Sequence, residues 1–180
     1  MKRKTTLKTV QLNRNVILNA AEEILGTYGL PDLSMRRLAT VLGVAPGALY
    51  WHFPNKQALL GGIAQRLVSE VSTPEAHGDA RMYCEELFQA VTSVRDGAEI
   101  TLAAVASETL DRDIHDELSS LVGAQAASVC FHYVMGCALE LQARQAALQA
   151  GITDAEFDIK TEDVGANVSA VLNGLKQLDS

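Results

Sequence analysis

Residues 33–60 read LSMRRLATVLGVAPGALYWHFPNKQALL, and this stretch decides the fold. Ser34 is a good N-cap for a short helix that ends before Gly43. Leu38, Ala39 and Leu42 form its inward face, while Arg36, Arg37 and Thr40 point elsewhere. Gly43 lets the chain turn sharply, and Val44 packs between the two arms of that turn. Pro46 then opens a second helix at the position where proline is tolerated, running to about Phe53 with Leu49 and Phe53 on one apolar face. Two turns of helix are not stable alone, so neighbours must hold it. Two short helices joined by a glycine-containing turn form the helix-turn-helix pattern, whose second helix enters the major groove of DNA.

Working outward, the spacing of Val16, Ile17, Ala20, Ala21, Ile24, Leu25 and Tyr28 predicts a first helix from a cap at Asn13 to a stop at Gly29. Asn55 caps a fourth helix through Leu59, Leu60, Ile63, Leu67, Val68 and Val71, with Gly61-Gly62 weakening it near its start. Further helices are expected over 79–96, 111–122, 124–150 and 162–178, with a short apolar piece at Ile100–Ala106 and a loop at 151–160. Hydrophobic residues make up 48% of the 180 residues and aromatics only 5%, which excludes disorder and disfavours a β-sandwich. The fold class is all-α: a three-helix helix-turn-helix head over 1–55 and a helical body over 56–180, joined through helix 56–72.

The net charge of −7 conceals an asymmetry. Residues 1–60 carry +5 and residues 61–180 carry −12, so a basic, anion-seeking head sits on an acidic body. The first ten residues, MKRKTTLKTV, are basic without a following apolar run and read as a short unanchored arm. Leu118–Leu139 lacks formal charge, yet it holds Ser119, Ser120, Gly123, Gln125, Ser128, His132 and Gly136, too polar for a membrane span. A long helix of that kind is expected in a core or a subunit interface. Cys84, Cys130 and Cys137 show no metal-ligand spacing and read as buried thiols in a reducing cytoplasm. His132 reads as a core or interface histidine.

The run from Leu33 to Leu60 resembles the DNA-binding domain of the tetracycline-repressor (TetR) family in Arg36, Gly43, Val44, Leu49, Tyr50, His52, Phe53 and Lys56. The resemblance covers residues 12–72. It implies a DNA interface of Ser34, Arg36, Pro46, Gly47, Ala48, Tyr50, Trp51, His52 and Lys56. Tyr50, His52 and Lys56 suit phosphate contacts, which fix register. Arg36 suits a guanine edge, and Pro46 and Ala48 suit a thymine methyl. Pro46 and Ala48 stand where the tetracycline repressors carry polar base readers, which implies a different operator.

Weaker similarity continues in Arg95-Asp96-Gly97-Ala98, in Met135–Gln142 and in Asp163–Leu178. It implies a four-helix dimer interface from Ala124–Ala150 and Glu162–Leu178 of each subunit. Where those repressors hold drug-bound magnesium through histidines, this chain has Thr101 and Val71-Ser72. The resemblance therefore does not carry over a tetracycline–magnesium effector, and no metal or cofactor is expected. An effector pocket is expected from Tyr83, Leu87, Thr101, Val105, His115, Phe131 and Met135, mostly apolar and suited to a small hydrophobic or amphipathic molecule.

No phosphate-cradling glycine motif, nucleophile–base pair or carboxylate cluster points to an enzyme. The expected function is a cytoplasmic, homodimeric, ligand-responsive repressor that binds a palindromic double-stranded operator and no membrane. The alternative is a helical small-molecule-binding or adaptor protein that never touches DNA.

Overall fold

The computed structural model describes residues 12–178, so the expected arm at the N-terminus lies outside the described residues. Regular structure there is helical: α1 (Arg14–Tyr28), a 3-10 turn (Leu30–Asp32), α2 (Met35–Leu42), α3 (Pro46–Tyr50), α4 (Lys56–Ser69), α5 (Pro74–His77), α6 (Ala80–Thr92), α7 (Gly97–Ala106), α8 (Ile114–Val122), α9 (Ala124–Gln149) and α10 (Thr161–Leu178).

Local capping sets the helix starts. Asn13 accepts the Val16 N–H at 3.0 Å, Ser34 that of Arg37 at 3.1 Å, and Asn55 that of Ala58 at 2.7 Å. Gly43 ends α2 at φ 67°; its N–H reaches the Thr40 carbonyl and the Val44 N–H reaches Ala39, a Schellman closure.

Several boundaries differ from the sequence expectation. α3 stops at Tyr50, where the Phe53 N–H turns back to the Leu49 carbonyl. α6 stops at Thr92, because the Thr92 and Ser93 hydroxyls bond back to Phe88 and Ala90 and Asp96 adopts φ 61°. α8 begins only at Ile114, since Asp113 caps it by accepting the His115 and Asp116 N–H groups. The four-residue α5 carries no periodicity that sequence could reveal. The uncharged stretch 118–139 is two helices broken at Gly123, and among the described residues no helix is long and apolar enough to cross a membrane.

Two buried clusters organise the chain. The head cluster joins Ile17, Ala21, Leu25, Leu38, Leu49 and Phe53 to Leu59, Ile63 and Ala64 of α4 and to Ile100 and Ala104 of α7. The body cluster takes Val68 at the far end of α4 and Val71 just beyond it, with α6, α8, α9 and α10. The packing divide thus runs inside α4, between Ala64 and Val68, and α4 belongs to both cores.

Gly61 and Gly62 are sites of close approach. A Cβ on Gly61 would lie 2.7 Å from the Thr109 side chain, and one on Gly62 would lie 2.9 Å from the Phe53 ring. Buried Gln142 donates to the Val91 and Val94 carbonyls and accepts from the Ala98 N–H, splicing α6 to α7. Cys84 and Cys130 are buried against each other, while Cys137 is half-buried. Their mutual hydrogen bond, with burial, pushes the Cys84 thiol well above its ordinary pKa. His132 is exposed instead of packed in the core, with Nδ1 2.7 Å from the Ser128 carbonyl.

Candidate nucleic-acid interface and effector region

The interface is built on the face of α2 and α3 that the head core leaves outside. Leu38, Ala39, Leu49 and Phe53 are turned inward and buried. Ser34, Arg36, Pro46 and Gly47 are exposed, and Ala48 is half-buried. At the end of α3, Trp51 is 91% exposed and Tyr50 49%. Indole and phenol surface of that extent, beside two residues that are fully buried, is not core packing. Ser34 combines its cap with a place beside Arg36, both lining one surface recess with Thr40.

Neighbouring charges are already committed. Arg37 pairs with Asp32 and lies over the Tyr28 ring at 3.9 Å, whereas Arg36 makes no ion pair among the described residues. Lys56 is half-buried, its Nζ 3.4 Å from the Leu30 carbonyl, and His52 is also half-buried. No pattern in the sequence singles out Arg14, which donates to the His52 carbonyl at 2.6 Å and stacks on Phe53 at 4.1 Å. It fixes the chain between the recognition helix and α4 from 38 residues away. Asp96, marked in the sequence only as part of Arg95-Asp96-Gly97-Ala98, accepts the Leu30 N–H on its carboxylate at 2.6 Å and ties the body to the head.

The seven expected effector residues separate into two groups. Val105 and His115 line an open cleft of about 470 Å³ between α7 and α8, with Leu110, Arg112 and Ile114. Phe131 stands behind it, its ring 4.2 Å from that of His115. Tyr83, Leu87, Thr101, Phe131 and Met135 are buried. The Thr101 hydroxyl donates to the Gly97 carbonyl within its own helix, and the Tyr83 hydroxyl donates to Glu117 at 2.7 Å. Burial and the Glu117 carboxylate push the Tyr83 pKa far upward, so that phenol stays neutral. No three His, Cys, Asp or Glu side chains gather to hold a metal among the described residues.

A helix-turn-helix head on an all-helical body defines a DNA-binding regulator, and the known proteins agree. The profile described as bacterial regulatory proteins, tetR family, matches residues 17–63. The chain is 32% identical over 151 residues to the class G tetracycline repressor protein of Vibrio anguillarum, covering 76% of this chain and 72% of that protein. It is similar to the crystal structure of Mycobacterium smegmatis BioQ, with a TM-score of 0.77, 32% identity, and coverage of 92% and 98%. BioQ with its natural double-stranded DNA operator aligns at TM-score 0.67 and 31% identity, covering 89% and 99%. A variant of TetR from Acinetobacter baumannii AYE in complex with minocycline aligns at TM-score 0.66 and 29% identity, covering 94% and 99%. The chain belongs to the TetR family of bacterial transcriptional regulators, and it is not an enzyme.

Proposed function

We propose that this protein is a ligand-responsive repressor that binds a palindromic operator as a homodimer and is released by a small hydrophobic or amphipathic effector. The observation that carries the reading is the exposed Tyr50-Trp51 pair at the end of a recognition helix whose inward residues are fully buried. Ser34, Arg36, Pro46, Gly47 and Ala48 surround it, with His52 and Lys56 at the edge, and the basic charge of the first 60 residues supplies attraction to phosphate. The similarity to a BioQ chain crystallised on its DNA operator supports the same use of this head. In a homodimer the two heads read half-sites about 34–36 Å apart, or a multiple of that.

α9 and α10 are the proposed dimer surface. Val129 and Leu139 of α9 are exposed apolar side chains on a helix whose other side packs in the body. The effector enters by the cleft beside Val105 and His115 and reaches the apolar core around Tyr83, Leu87, Thr101, Phe131 and Met135. The similarity to a TetR that holds minocycline supports a ligand in this domain. Moving the operator from mostly occupied to mostly free requires a preference of roughly 10⁴-fold, about 5.5 kcal/mol, for the DNA-incompetent arrangement.

The test is selection of duplexes from a random library, followed by footprinting and a salt titration. A two-fold symmetric footprint with affinity falling steeply from low to moderate salt is expected. A monomer at micromolar concentration, with no enriched duplex, rejects the reading in favour of an adaptor.

A further inference from the structure

The far end of α4 is gripped by a chain of hydrogen bonds that the repressor reading alone does not require. The last carbonyls of a helix are open to donors from outside it. Arg112, in the segment before α8, supplies one: its Nη1 donates at 2.9 Å to the Val68 carbonyl, which also accepts the Val71 N–H at 3.0 Å, and at 2.7 Å to the Val71 carbonyl. Its other edge forms a fork on Glu117 of α8, Nε to Oε1 at 2.8 Å and Nη2 to Oε2 at 2.6 Å. The same Oε2 accepts the hydroxyl of Tyr83, from α6, at 2.7 Å. Arg112 and Glu117 side chains are less than a fifth exposed, at 18% and 19%. Glu86 of α6 completes the grip by accepting the Ser72 N–H at 2.7 Å.

Four properties make this more than a helix cap. A bidentate guanidinium–carboxylate pair fixes direction as well as distance. A cation at a helix C-terminus is further favoured by the helix dipole. Glu117 also raises the Arg112 pKa, keeping the guanidinium charged. Finally, the chain connects elements that have different tasks. Arg66, in the last turn of α4, holds the helix to the head through Glu22, Asn15 and Asn19 of α1. α4 is therefore clamped to the head by one arginine and to the body by another.

We infer that Arg112, held by Glu117 and Tyr83, is a positioning residue that fixes the far end of α4 on the body and thereby the separation of the two DNA-reading heads in the dimer. This rests on the proposed operator binding and adds the residue-level device that regulates it. Tyr83 is the terminus of the chain that borders the apolar core, so a change at the core reaches α4 through one carboxylate and one guanidinium.

The experiment uses the full chain with Arg112→Met, Arg112→Lys, Glu117→Gln and Tyr83→Phe. The first readout is amide hydrogen exchange of residues 70–72 in the free protein. The second is affinity for the duplex that wild type enriches from a random library, against the same duplex with one base pair inserted between its half-sites. Wild type is expected to discriminate between the two spacings at least tenfold. Arg112→Met and Glu117→Gln should lower that ratio at least threefold while accelerating exchange at 70–72 about tenfold. Arg112→Lys should restore part of the ratio, and Tyr83→Phe should change it least.

A cap with only a structural role would lower thermal stability and weaken both duplexes equally, leaving the ratio unchanged. That result, with wild type binding normally, overturns this inference and leaves the proposed function standing. If Arg112→Met fails to fold, Glu117→Gln decides by the same ratio. Absence of any enriched duplex for wild type overturns the proposed function and this inference together.

Discussion

Replacing Gly62 by Ala tests how the head is seated on α4. A helix-interior glycine costs about 1 kcal/mol relative to alanine, so on propensity alone the change stabilises. Packing opposes it. The new methyl would lie 2.9 Å from Phe53 Cε1 and 3.1 Å from Leu18 Cδ2. Phe53 is fully buried and already carries Arg14 on its ring at 4.1 Å, leaving it little room to yield. Inserting a methyl into such a site costs about 1–3 kcal/mol. The net expectation is a loss of about 1 kcal/mol.

Gly26 in α1 is the control, because nothing lies within 4 Å of a Cβ built there. Gly26→Ala should stabilise by about 1 kcal/mol. For a chain of this length each kcal/mol moves Tm by about 2–4 °C. Thermal and urea unfolding at one fixed protein concentration should therefore separate the two variants by about 2 kcal/mol, on opposite sides of wild type. Fixing the concentration matters because subunit association adds to apparent stability. If Gly62→Ala stabilises as much as Gly26→Ala, the packing of Phe53 against α4 is wrong. The same contacts give Gly61-Gly62, which the sequence marks only as weakening the helix, a packing role: the glycines admit Thr109 and Phe53 to the helix surface.

Trp51→Ala should leave the urea midpoint within about 0.5 kcal/mol of wild type, since the side chain is 91% exposed, yet weaken duplex binding in a fluorescence-anisotropy titration. Arg36→Ala should likewise spare stability while costing about 1–3 kcal/mol at one base position, read by comparing single-base variants of the selected duplex. In a native thiol titration with a disulfide reagent, Cys137 should react first, because Cys84 and Cys130 are buried; two fast thiols would contradict that packing. The Tyr83 pKa is raised by burial and by Glu117, from an ordinary value of 10.0. Its contribution to stability is therefore intact below pH 10 and is lost as pH rises toward the folded-state value, so Tyr83→Phe should flatten the alkaline slope of the urea midpoint.

Much of the head was legible because its determinants are local. Ser34, Asn13 and Asn55 cap helices through bonds three residues long, and Gly43 closes α2 through its immediate neighbours. The alternation of buried Leu38, Leu49 and Phe53 with exposed Arg36, Tyr50 and Trp51 is likewise a property of short spacing. The sequence by itself therefore determined the helix-turn-helix, its outward residues and the all-helical class.

The body was different. Tyr83, Leu87, Thr101, Phe131 and Met135 were legible as an apolar set, but periodicity cannot tell a side chain that lines a cavity from one that fills a core. Only the tertiary structure divided them, leaving Val105 and His115 on an open cleft and burying the rest. It alone also brought Arg14 to His52, Asp96 to Leu30, Gln142 to Val91 and Arg112 to Val68. Each of these bonds reaches a backbone group near the end of a helix or turn, and its partner lies 38 to 66 residues away in the chain. A terminus shows that a backbone group needs a partner, whereas which distant side chain supplies it depends on how the helices pack.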